Sequence, residues 1–68
     1  MKKDINQLKV VLAEKKRTSK WLASELDVNI TTVFKWCTNT SQPDLRTLTK
    51  IASLLEVDVI DLLWSTKD

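Results

Sequence analysis

The chain contains no glycine, no histidine and no tyrosine, and only one cysteine and one proline. Without histidine, and with a single cysteine, the common zinc spacings and Ser–His–Asp triads cannot be assembled. Without glycine, phosphate-cradling glycine loops cannot form either. No enzymatic activity, metal or cofactor is therefore expected. The lone Cys37 excludes an internal disulfide and suits a reducing cytoplasm, the expected location. No apolar run is long enough to span a bilayer, and the basic, interrupted N-terminus does not read as a signal peptide, so no membrane partner is expected. Sixty-eight residues leave room for one domain, 1–68, with its core over about residues 4–64. A chain of this size buries only about 60% of its unfolded surface, so its stability is modest or shared with a partner.

Charge is spread unevenly. Residues 1–50 carry ten Lys/Arg against five Asp/Glu, whereas residues 51–68 carry one against four. A basic front and an acidic end suit a polyanion-binding face set away from a second surface; an ordinary solvated surface has the same composition.

Apolar residues recur at intervals of three and four rather than two, which predicts helices and no strands. Asp4 and Gln7 have the spacing of a capping box for a first helix with the stripe Ile5, Leu8 and Leu12, ended by the cations of "EKKR". Thr18 can cap a second helix burying Leu22, Ala23 and Leu26. Asn29 can cap a third, turning Val33, Trp36 and Cys37 inward. After the loop "NTSQP", Asp44 caps a fourth helix expected to bury Leu45, Leu48, Ile51, Ala52 and Leu55. Asp58 and Asp61 open a short fifth helix through Leu62, Leu63 and Trp64. Only Asp27 and Val28 separate Leu26 from Asn29, so the second and third helices meet at a sharp corner that needs a left-handed residue. In the absence of glycine, Asp27 fills that position and Asn39 the equivalent one after the third helix. Two short helices joined in this way read as a helix-turn-helix.

The segments "TSKWLASELDV" and "NITTVFKWCTN", followed by "PDLRTLTKIASLLEVDVIDLL", resemble the Cro and lambda-repressor family of helix-turn-helix regulators. The likeness runs over roughly residues 5 to 63. Leu22-Ala23 stands at the family's Leu-Ala pair, Val33 and Trp36 at the apolar pair of its recognition helix, and Pro43 at the proline before its fourth helix. The resemblance implies an all-α, compact five-helix domain with the helix-turn-helix formed by helices 2 and 3. There are departures. Ser19 replaces a longer glutamine, and Asp27 and Asn39 replace glycines. Leu12 and Cys37 stand where many members have an arginine–glutamate pair. Losing both charges together can be neutral, whereas losing one would strand the other at about 3–5 kcal/mol. Leu12 and Cys37 are therefore expected to meet in the core.

In the family, the outer side of the third helix enters the major groove, so the resemblance implies double-stranded DNA as the partner. Ile30 and the methyl of Thr31 suit thymine methyls, Lys35 suits guanine acceptors, and Thr32 suits a base edge or phosphate. Phe34 also faces outward, although both Ile30 and Phe34 could instead pack on neighbouring helices. Helix starts and the adjoining cation give Thr18, Ser19, Lys20 and Asn29 as phosphate contacts. Thr38, Ser41 and Gln42 resemble the family's backbone-gripping positions. Trp21, at a position usually polar, is expected to pack. The function implied is that of a small transcriptional regulator acting by occupancy. It is expected as a homodimer through Leu62, Leu63 and Trp64, although this apolar terminal helix could instead only close the domain core, and with no small-molecule ligand. An exposed Ile30–Phe34 pair would equally suit a protein-interaction module using the same fold without nucleic acid.

Overall fold

The computed structural model describes residues 5–63. Its order is α1 (Leu8–Glu14), α2 (Ser19–Leu26), α3 (Ile30–Cys37), α4 (Leu45–Leu55) and a short 3-10 helix (Val59–Leu62). Among the described residues there is no strand, only an isolated antiparallel bridge between Asn6 and Leu63. α2 packs on α3, α4 packs on the 3-10 helix, and α1 touches both α3 and the 3-10 helix. Leu22, Val33, Ile51 and Leu62 are the most deeply buried side chains, one from each of these elements except α1. Leu8, Val11 and Leu12 of α1 close the same core.

Side-chain caps open three of the helices as the sequence suggested. Thr18 Oγ1 accepts from Trp21 N–H at 3.0 Å, Asn29 Oδ1 from Thr31 N–H at 2.8 Å, and Asp44 Oδ1 from Thr47 N–H at 2.8 Å. Each satisfies a backbone donor that the first turn leaves unpaired. Hydrogen bonds from the Thr47 side chain and then its backbone, ahead of the Coulombic help of Arg46 and Lys50, hold the Asp44 carboxyl below its usual value. A carboxyl lowered on folding stabilises above the unfolded carboxylate range and loses that contribution as pH falls through its folded value. Asp44→Asn, which keeps a capping oxygen, should therefore flatten part of the fall in melting temperature expected below about pH 5, as thermal melts across pH would measure.

The start of α1 differs from expectation. The helix begins at Leu8, Ile5 lies outside it and is exposed, and Asp4 lies outside the described residues. The buried Asn6 takes over, its Oδ1 accepting from Leu8 N–H at 2.9 Å. Gln7 makes no side-chain cap. Its Nε2 donates instead to the carbonyls of Asp61 and Leu63, tying α1 to the end of the described chain. Leu45 is a second correction. It is 72% exposed, because the first residue of α4 projects beyond the core that Leu48 only partly enters. The fifth helix is a third. It is four residues of 3-10 helix, a form that rarely runs longer, and Leu63 turns extended (φ −111, ψ 143) to bridge Asn6.

All four α-helices end in the same hydrogen-bonded turn on a left-handed residue: Lys16, Asp27, Asn39 and Glu56, with φ between 56 and 59. In each, the left-handed N–H bonds back three residues and the next N–H bonds back five, as in Lys16 N–H to Ala13 O and Arg17 N–H to Leu12 O. Asp27 and Asn39 were anticipated. Lys16 and Glu56 were not, because neither residue type signals a left-handed conformation.

The terminal surface also needs correction. Leu62 is fully buried within its own chain, so its side chain serves the core and has no face for a second subunit. Leu63 is half-buried, and Trp64 lies outside the described residues. Leu62→Ala should cost about 2–5 kcal/mol of folding stability, as for other buried leucines. Melts at low and high protein concentration should show the same loss; a loss growing with concentration would return Leu62 to an interface.

Candidate nucleic-acid interface

Capped at Asn29 and turned by left-handed Asp27, α3 runs across α2 with two unlike sides. Val33 and Trp36 are buried. Thr31, Phe34 and Lys35 are exposed at spacings of three and four, which places them on one stripe. Thr38 continues that stripe just past the helix end. Phe34 is 50% exposed, so its ring stands outside the core. Ile30 divides from this group: it is half-buried and packs against the core, as does half-buried Trp21. Thr32 is also half-buried.

The residues expected at phosphates lie at the two ends of this helix pair. Thr18, Lys20 and Asn29 are exposed at or beside the starts of α2 and α3. Ser19 is half-buried, with its Oγ 3.8 Å from Cys37 Sγ. Thr38 Oγ1 donates to the Phe34 carbonyl at 3.0 Å and to that of Lys35 at 3.3 Å, and it lies 2.9 Å from Thr40 Oγ1. Ser41 is exposed. Gln42 is exposed but tied to its own chain: its Oε1 accepts from Asn6 Nδ2 at 2.7 Å and its Nε2 donates to Asn39 Oδ1 at 3.1 Å.

That pairing belongs to a network that sequence reasoning missed. Asn39 Oδ1 accepts from the backbone N–H groups of Ile5 and Asn6, both at 2.9 Å, and its Nδ2 donates to the Asn6 carbonyl. Asn6 Nδ2 also reaches the Trp36 carbonyl at 3.0 Å. The residue ending α3 thus anchors the segment leading into α1. Asn39 was legible as a left-handed position, but nothing in the sequence periodicity links it to Asn6.

Arg17, also overlooked, lies with its guanidinium carbon 4.5 Å from the centroid of the Trp21 ring, a cation–π distance. Leu12 and Cys37 line a single cleft together, with Leu12 buried and Cys37 half-buried.

A profile of the Cro/C1-type helix-turn-helix DNA-binding domain matches residues 7–68. The chain belongs to that family. Among solved structures, it is similar to a candidate DNA-binding protein from Bacteroides fragilis, with 48% identity and a TM-score of 0.87, over 88% of this chain and 97% of that one. No curated protein matches it. Membership in the Cro/C1-type family makes this chain a helix-turn-helix DNA-binding domain, and transcription regulation fits that family. No helix among the described residues is long and apolar enough to cross a membrane.

Proposed function

We propose that this protein is a sequence-specific double-stranded DNA-binding transcriptional regulator that lays the outer stripe of α3 along the major groove. The observation carrying this reading is the division of α3. Its inner side is consumed by the core, while Thr31, Phe34 and Lys35 stand exposed beside the capped start of α2. Thr31 and Lys35 supply the polar base contacts, Phe34 an apolar contact with a thymine methyl, and Ile30 and Thr32 the margin. Thr18, Ser19, Lys20, Asn29, Thr38 and Ser41 flank them as backbone contacts. Gln42 acts through the loop that it braces. Selection of bound fragments from random duplexes tests this: a short recurrent site is expected, and failure to enrich any duplex at low salt would refute it.

One recognition helix reads few base pairs, so the protein works as a homodimer on a near-palindromic site, in the cytoplasm and by occupancy. With Leu62 committed to the core, the exposed Ile60 and half-buried Leu63 are apolar residues near that end, among those described, that could meet a partner together with Trp64. Sedimentation at micromolar concentration should show a dimer, at least with the selected duplex present. A strict monomer under both conditions refutes the dimer alone.

The exposure of Phe34 favours a second reading, a protein-interaction module whose groove-filling residue is that ring. The two readings part at Lys35, whose charge is essential only to the first.

A further inference from the structure

The cleft that holds Leu12 and Cys37 opens beside the recognition helix. It encloses about 370 Å³ and is lined by Ala13 and Phe34 as well, with Lys9 and Arg17 also contributing to its wall. Its inner lining is mostly apolar, with Leu12 buried and Cys37 half-buried beside the Ser19 hydroxyl, while Lys9 and Arg17 are exposed. Arg17 is not a loose arm. Its guanidinium stacks on Trp21, itself packed against the core, which limits the directions in which the charge can point.

We propose that this cleft seats one sugar–phosphate step of a DNA strand, the deoxyribose against Ala13 and Phe34 and the phosphate between Lys9 and Arg17. The inference rests on the duplex-binding reading and adds α1 to the interface. Charge complementarity selects the occupant: two cations border an apolar lining that shares Phe34 with the base-reading stripe, so a strand lying along α3 passes its mouth. A sugar–phosphate unit has that same pairing of apolar ring and anion. Lys9 and Arg17 thereby add charged phosphate contacts to a set that is otherwise mostly hydroxyl and amide.

Affinity for the selected duplex, measured across a range of salt, tests this in the full chain. Lys9→Ala and Arg17→Ala should each weaken binding roughly tenfold at low salt and make the logarithmic salt slope shallower by about 0.9. Arg17→Lys keeps the charge but loses the planar stack, so it should retain the slope of the parent with intermediate affinity. Lys50→Ala, a cation on α4 outside the cleft, should leave the slope as it is. Ala13→Leu changes no charge, sits on an exposed helical position and fills the cleft, and should weaken binding with an unchanged melting temperature. If the parent binds a duplex but Lys9→Ala, Arg17→Ala and Ala13→Leu bind it equally well, the proposal fails while the duplex-binding reading stands. If Ala13→Leu changes self-association without DNA, the cleft belongs to a second copy of the chain, and the proposal is overturned. If the parent binds no duplex at all, both fall.

Discussion

Lys35→Glu should lower affinity for the selected duplex by at least about 100-fold, while the protein remains folded. A good base contact contributes about 1–3 kcal/mol of discrimination, and reversal of charge adds repulsion from neighbouring phosphates. Folding gives no competing explanation of comparable size. Lys35 is exposed in the last turn of α3, where its charge favours the helix dipole, and loss of that interaction costs only about 0.3–1 kcal/mol. Thr31→Ala, on the same stripe, should cost less, about tenfold, since it removes one methyl and one hydroxyl from the groove. Equilibrium titration with circular dichroism alongside checks both. A Lys35→Glu protein that binds as tightly as the parent would move the recognition surface off α3 and favour the protein-interaction reading.

The second large effect concerns stability, and its sign depends on the residue. Lys16→Gly and Glu56→Gly should each stabilise the fold by about 1 kcal/mol, because glycine removes a left-handed penalty of roughly 1–2 kcal/mol at the cost of some chain entropy. For a domain of this length the pair together should raise the melting temperature by about 5–15 °C. Asn39→Gly should do the reverse. The same backbone relief is available there, and smaller for Asn, but the substitution deletes the acceptor for Ile5, Asn6 and Gln42 and the donor to the Asn6 carbonyl. At about 0.5–1.5 kcal/mol per net hydrogen bond, the four bonds come to about 2–6 kcal/mol, which outweighs the backbone relief and leaves a net loss of at least about 1 kcal/mol. Thermal and denaturant melts of the three variants decide it. An Asn39→Gly protein more stable than the parent would mean that the Asn6–Asn39–Gln42 network contributes nothing.

That contrast also separates what was legible in the chain from what was not. Local rules were readable: the Thr18, Asn29 and Asp44 caps, the left-handed Asp27 and Asn39, and the buried pair Val33 and Trp36 all depend on neighbours a few residues away. Family membership was readable for the same reason, since its motifs are ordered local signals. What escaped was set at long range. The start of α1 is decided by Asn6, which caps Leu8 locally but is held in place by partners 30 or more residues along the chain. Ile5 and Leu45 fit helical stripes by spacing, yet Ile5 precedes α1 and Leu45 is the first residue of α4, so the stripe outruns the core at both. The role of Leu62 stays open in the sequence because a short terminal helix can close a core or cover a partner, and only packing chooses between them. Arg17 and Trp21 are four residues apart across the start of α2, and an aromatic at a usually polar position was the one hint of their pairing.

Mapping of backbone amide shifts during titration with the selected duplex tests the central claim most directly. The changes should concentrate on Thr31 to Lys35, on Thr18 to Lys20 and on the Thr38–Ser41 turn, and leave α4 largely still. Shifts confined to α4 or the 3-10 helix, with the outer stripe of α3 unmoved, would contradict the account.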